Sequence, residues 1–214
     1  MLAFTLAETL VVIGIIGVVA ALTLPNLNSS TGDKEKVVKM KKIYSDLNNA
    51  LGRATAVYGP YKTWCISGPG DTFECSQKCF NRIMEFMKYS KICTISDSCA
   101  LVYQESNGSN SGGSSYRPSA LLADGASIAL NGGGSDGNKF YIDLDGPYKG
   151  NSRDGVDVFD FKIKGNGVYT SCNREQEKWY ERKSCRAMWM IENENMDFLK
   201  CASKLNWQTQ TSCK

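Results

Sequence analysis

FTLAETLVVIGIIGVVAALTL, running from Phe4 to Leu24, decides how the rest of this 214-residue chain is read. About 20 consecutive apolar residues suffice for a helix to cross the hydrocarbon core of a bilayer. A secretory signal would have a basic start, a shorter apolar core and a small-residue cleavage site. Ala20, Ala21 and Thr23 imitate such a site, but no Lys or Arg lies between Met1 and Asn28. The run contains one acid, Glu8. A carboxylate near the middle of a spanning helix costs roughly 2.5–3.5 kcal/mol, so it asks for a cation. The only nearby cation is an amino terminus. If that amine belongs to a neighbouring copy, the acid becomes an assembly device.

Phe4, Thr5, Leu6, Glu8, the aliphatic run and Pro25 together resemble the N-terminal signature of type IV pilins and type II secretion pseudopilins. The resemblance implies a short leader, residues 1–3, cut between Ala3 and Phe4 by a prepilin peptidase, with N-methylation of the new Phe4 amine. It also implies that Glu8 pairs with the Phe4 amine of an adjacent subunit, and that the long helix bends or melts at Pro25. The implied partners are further copies of the chain in a helical homopolymer, the membrane before assembly, and the pilus or secretion machinery. The implied location is the bacterial inner membrane for the precursor and a cell-surface filament afterwards, or the periplasm for a pseudopilin.

Beyond Pro25 the chain becomes polar. Asn26–Asp33, NLNSSTGD, suits a flexible hinge, with Asp33 placed to cap a second helix. Val37, Met40, Ile43, Tyr44, Leu47, Leu51, Ala54 and Val57 then recur at helical spacing. The spacing predicts an amphipathic helix with one face for a globular domain, stopping at Tyr58-Gly59-Pro60. Lys34, Lys36, Lys39, Lys41 and Lys42 crowd its start. Read by the positive-inside rule, that cluster points toward the cytoplasm.

The cysteines point the other way. Nine Cys, at positions 65, 75, 79, 93, 99, 172, 185, 201 and 213, occur with no His at all. Their irregular spacing reads as a disulfide framework in an oxidising compartment. Cys75 and Cys79 alone make half a zinc site, with no second tight pair to complete it. Local pairings are expected for Cys93 with Cys99, Cys172 with Cys185, and Cys201 with Cys213; the odd count leaves one thiol over.

Phe73–Tyr89 reads as a short buried helix. Ala100–Tyr103, Leu121–Leu130, Lys139–Asp143, Val156–Ile163 and Gly167–Thr170 read as strands separated by Gly/Ser/Asn loops at 106–115 and 131–138. Phe159, Phe161 and Ile163 alternate with Asp160, Lys162 and Lys164, the pattern of an antiparallel strand with one wet face. Tyr141–Gly146 and Gly155–Phe159 are similar to the head-domain sheet of some bacterial pilin-like proteins. Cys185–Ile191 fits a helix or a strand. Trp179, Trp189 and Trp207 suit core packing better than an adhesive face.

Asp143, Asp145, Asp154 and Asp157 raise the question of calcium, but their spacing is not an EF-hand, and Asp145-Gly146 and Asp154-Gly155 are ordinary turn pairs. No metal or cofactor is expected. Without His, Ser-His-Asp and Cys-His nucleophile systems cannot be built, and Gly132–Gly134 lacks the Lys-Ser/Thr of a phosphate loop. The chain therefore does not read as an enzyme. A net charge of +3 gives no reason to expect nucleic acid.

The fold expected is α+β and pilin-like. A hydrophobic helix at 4–25 and a hinge with an amphipathic helix at 26–59 precede a cysteine-rich head at 60–214, whose antiparallel sheet covers about 100–171. The expected function is that of a structural pilin of an extracellular filament. The alternatives are a pseudopilin of a secretion or DNA-uptake system and a membrane-tethered binding domain that does not polymerise.

Overall fold

A computed structural model describes residues 6–64, 73–93, 99, 103–104, 110–111, 117–131, 138–147 and 152–213, with 20–31, 73, 103–104 and 110–111 described by backbone alone. Ala3 and Phe4 and most of both Gly/Ser/Asn loops lie outside the described residues.

Helix α1 spans Leu6–Tyr58. It stops where Gly59 turns the chain at φ +82° and donates its N–H to the Thr55 carbonyl at 2.9 Å. The backbone is helical through Pro25 and through 26–33, where the sequence predicts a hinge. Asp33 therefore sits within α1 rather than capping a second helix, and it ion-pairs with Lys200 at 3.0 Å. Val37, Met40, Ile43, Leu47, Ala50, Leu51 and Ala54 are buried, a stripe repeating every three or four residues. Val57, expected on that stripe, is 63% exposed.

Helix α2 (Phe73–Met84) is shorter than the stretch read as helical, because β1 (Tyr89–Cys93) begins at its predicted end. A two-stranded ribbon pairs β2 (Tyr103–Gln104) with β3 (Asn110–Ser111). The main sheet then adds β4 (Ser119–Leu122), β5 (Ser127–Asn131), β6 (Lys139–Asp143), β7 (Val158–Lys164) and β8 (Gly167–Tyr169). Its six strands lie in the order β1-β4-β5-β6-β7-β8, every neighbour antiparallel. The stretch 121–130 is thus two strands. Ala123, Asp124 and Gly125 form the turn between them, Gly125 donating its N–H to the Leu122 carbonyl at 3.0 Å. Gly146 closes against this turn at φ +73°, and a Cβ there would lie 2.1 Å from the Gly125 oxygen.

The inner sheet face carries Ala120, Leu122, Ile128, Leu130, Phe140, Ile142, Phe159, Phe161 and Val168, all in one core with the α1 stripe. Each large side chain buried there contributes about 1.5–3 kcal/mol of transfer free energy. The outer face is not simply wet. Ala129, Tyr141 and Val158 form a second small cluster, and Asp160, expected in solvent, is 6% exposed. The cause is cover over Tyr141, which lies opposite Asp160; Arg117 and Lys183 sit 5.0 and 4.9 Å from its ring centre. Burial pushes the Asp160 carboxyl up, against the nearby charges of Lys183 and Lys139.

The ambiguous stretch Cys185–Ile191 belongs to helix α3 (Lys183–Asn193), followed by the short α4 (Phe198–Cys201). Helix α3 packs on β7 and α1. Trp189, fully buried, stacks on Trp179 at 4.6 Å and meets Trp207 at 4.9 Å, while its Nε1 donates to Asn195 Oδ1. Disulfides join Cys172 to Cys185 and Cys201 to Cys213. Cys79 is also disulfide-bonded. Cys93 and Cys99 are both buried but are not bonded to each other, contrary to the expectation from their spacing. Cys93 is committed to β1, opposite Ser119 in β4, so its direction is set by the sheet rather than by proximity along the chain.

Candidate functional site

The N-terminal part of α1, Leu6–Val19, differs from the other apolar segments among the described residues. Leu6 is 79% exposed, and Leu10, Val11, Val12, Ile13, Ile15, Ile16, Val18 and Val19 are each more than half exposed. Successive residues step 100° around a helix, so the run Leu10–Ile13 alone covers most of the circumference. A helix apolar on all sides has no solvent face and calls for burial all round, in lipid or among other helices. Gly14 and Gly17 leave open space where a Cβ would stand, so another chain can come close to the backbone there.

Glu8 lies in the first turn of α1, where a carboxylate also interacts favourably with the helix dipole. Thr9 beside it returns its hydroxyl to the Leu6 carbonyl at 2.9 Å. Glu8, Thr9, Val12 and Ile13 line a shallow concavity of about 240 Å³. Of the residues singled out by sequence, Glu8 therefore falls on the exposed apolar segment. Ala3, Phe4 and the Pro25 side chain lie outside the described residues. Among the described residues, no helix is long and apolar enough to cross a membrane.

The second half of α1 is fastened to the head by its lysines. Lys36 Nζ donates to Asp157 Oδ1 and lies 3.1 Å from Asp145 Oδ2. Lys39 donates to the Leu144 carbonyl at 2.9 Å. Lys41 pairs with Glu194, and Lys42 with both Asp124 and Asp46. Asn48 accepts the Val168 N–H at 3.0 Å, tying α1 to the edge strand β8. Burial works against the charge on Lys36, but its hydrogen bond to Asp157, and then the charges of Asp157 and Asp145, outweigh this and raise its pKa. Three lysines of the basic cluster, Lys36, Lys41 and Lys42, thus meet acids of the head.

The four acids that raise the question of calcium are engaged within the head. Asp143 accepts from the backbone N–H groups of Asp145 and Gly146 and from Ser152 Oγ at 2.6 Å. Burial pushes its carboxyl up, more than these hydrogen bonds pull it down. Asp157 accepts from Lys36 and from the Arg153 N–H. Asp154 turns away to Lys183, at 3.0 Å. An ammonium group stands among the carboxylates, and among the described residues no group of three or more Asp, Glu or Cys is arranged to hold a metal ion.

No protein-family model, curated protein or solved structure matches this chain.

Sequence reasoning located the exposed segment and Glu8, but it missed Lys36 as the partner of Asp145 and Asp157. These residues lie more than a hundred positions apart, with |i−j| of 121 for Lys36 and Asp157. The available signal was a surplus of acids at 143–157 facing a surplus of lysines at 34–42.

Proposed function

We propose that this chain is a filament subunit of the type IV pilin kind, assembled through the N-terminal half of α1. The observation that carries the reading is the segment Leu6–Val19, apolar in every direction and exposed, on the same helix that is buried on one face farther along. Such a segment lies in lipid before assembly and against the equivalent helices of other copies afterwards. The head stays outside the bundle, stapled by its disulfides. Glu8 takes the amine of the first residue of a neighbouring mature subunit, Phe4 if the leader is removed. That contact sets the axial register between copies. Each copy offers an acid at one point and an amine at another, so the contact is head to tail and extends without closing. The chain acts in this reading as a structural protein rather than an enzyme, and a short periplasmic filament would use the same surfaces.

The test is Glu8→Ala in the full chain, expressed where it is made. Membrane insertion and head folding are expected to be unchanged, with surface filament recovered by shearing reduced at least tenfold. Filament yield equal to that of the unaltered protein would refute the register role of Glu8. N-terminal sequencing of the sheared material checks processing; a chain beginning at Met1 and confined to membranes would instead favour a tethered domain.

A further inference from the structure

Separate parts of the chain bring a lysine and two acids together on the outer side of the sheet. Lys183 is the first residue of α3. Asp154 belongs to the tight loop leading into β7, where Gly155 donates its N–H to the Val158 carbonyl at 2.8 Å and Val158 donates to the Arg153 carbonyl at 3.1 Å. Asp160 stands on β7 itself, opposite Tyr141 of β6. Lys183 Nζ lies 3.0 Å from Asp154 Oδ1 and 4.9 Å from the centre of the Tyr141 ring.

This pair differs from an ordinary surface ion pair, which two mobile side chains form in water. The Lys183 and Asp154 side chains are only 20% and 22% exposed. Asp154 Oδ1 is buried, and Lys183 meets it at contact distance but off the direction of a hydrogen bond. Asp160 is 6% exposed, and its Oδ1 receives no hydrogen bond. Burial raises the Asp160 carboxyl; of the charges around it Lys183 acts most strongly, ahead of Lys139, Asp154 and Lys162. The frame is held from α3. Arg186 donates Nη1 to the Gly155 carbonyl at 3.1 Å, and it packs so close that a Cβ on Gly155, at φ +69°, would lie 2.9 Å from its Cδ. One helix therefore fixes both the lysine and the loop that carries its acid.

We propose that Lys183 and Asp154 condense into an intramolecular isopeptide bond, with Asp160 as the proton carrier. The ammonium passes one proton to the Asp160 carboxylate, and the free amine attacks Cγ of Asp154. Asp160 returns that proton to the departing oxygen. A second proton follows from the nitrogen as the tetrahedral intermediate collapses, and the oxygen leaves as water. One C–N bond forms and one C–O bond breaks; ammonium and carboxylate become an amide and a water, with no change of oxidation state and no co-reactant. Reacting groups held in contact in a fixed frame have already met the entropy cost of approach. A carboxyl that accepts and returns a proton beside them supplies general acid–base help. The product replaces a half-buried charge pair by a neutral amide, which the dry outer face tolerates better. The bond ties the loop before β7 to α3 by a link that reducing agents do not open, and it does not depend on the filament reading.

The test is a tryptic digest of the full chain, purified in detergent, reduced and alkylated. The expected product is a branched peptide joining 154–162 to 183–186, lighter by one water than the two peptides apart, with cleavage after Lys183 lost. Lys183→Arg keeps the charge but offers no amine to acylate, and should give linear peptides only. Asp160→Asn keeps the shape and removes the proton carrier. It should slow accumulation of the branched peptide in pulse-labelled cells by about a hundredfold, the lower end of what a general acid–base group contributes. A parent chain that is cleaved after Lys183 and yields only linear 154–162 would overturn the proposal, and this readout needs no variant to fold. A branched peptide persisting in Lys183→Arg would also overturn it. Accumulation at the parental rate in Asp160→Asn would overturn the part given to Asp160.

Discussion

Between Leu6 and Val19, α1 shows apolar side chains in every direction; between Val37 and Ala54 it buries them along one side, with lysines beside the stripe and Val38 alone among its large aliphatics left exposed. The first half has nothing of its own chain to bury it among the described residues. The second half is buried by the sheet, α2 and α3. One secondary structure thus carries two solutions to the same hydrophobic problem, and the difference lies in who supplies the covering surface. Apolar all round calls for many partners or a lipid phase; apolar on one face calls for a domain. A substitution in the head half should therefore read out in stability, and one in the bare half in assembly.

Trp189→Ala removes the centre of the three-tryptophan packing and should break the head side of the contrast most severely. Truncation of a fully buried large aromatic costs about 3–5 kcal/mol. Denaturant melting of the head checks it, and a loss below about 1 kcal/mol would mean that the cluster is not part of the cooperative core. Replacing both Cys172 and Cys185 by Ser is the next largest change. A bridge closing a loop of roughly 15 residues is worth about 3 kcal/mol, and the two positions are 13 apart. The double variant should melt earlier under oxidising conditions and no differently from the parent once both are reduced.

Lys36→Met probes the clamp between the halves. The native ammonium holds its proton more tightly than the unfolded one, because Asp157 and Asp145 outweigh its burial. Its stabilisation is therefore complete below the ordinary lysine value, about pH 10.4, and is lost as pH rises through the higher native value. The parent head should lose stability over that alkaline range, and Lys36→Met should lack this step while starting from a lower plateau. An identical alkaline limb in both proteins would remove Lys36 from the clamp. Ile13→Ala is the smallest change by stability and sharpens the contrast most cleanly. At 66% exposure it should shift head unfolding by no more than about 0.5 kcal/mol while reducing filament yield. A marked loss of head stability would show that the bare half is covered by its own chain after all.

Much of this architecture could be read in advance because it is periodic. The three-to-four spacing from Val37 marked the packed face as far as Ala54, though not Val57, and the two-residue alternation from Phe159 to Lys164 marked β7. The Gly59-Pro60 stop fell where the helix ends. What escaped was set by contacts distant in sequence. Asp160 looked wet because alternation says which side a residue is on and not whether that side is covered; Lys183 and Arg117 cover Tyr141 beside it from elsewhere in the chain. Cys93 and Cys99 looked like neighbours because only six positions part them, yet the sheet fixes the first of them against β4. The short strand Tyr89–Cys93, with a lysine and a serine among its five residues, had too little alternation to stand out from the preceding helix. In the candidate site, the bare apolar segment and its acid were visible from the first line of sequence. The lysine clamp was not, since no local pattern tells an ammonium which of several distant carboxylates it will meet.

The ion pair between Lys41 and Glu194 joins positions 153 apart, and Asp33 likewise waits for Lys200. Ribosomes deliver α1 early and its last partners late. The stripe from Val37 to Ala54 therefore stays uncovered for most of synthesis, and closure over such long loops is a slow step. A nascent copy would need something to shield that stripe until α3 emerges, and a chain truncated before Lys183 should be cleared or aggregate rather than persist as a shorter head.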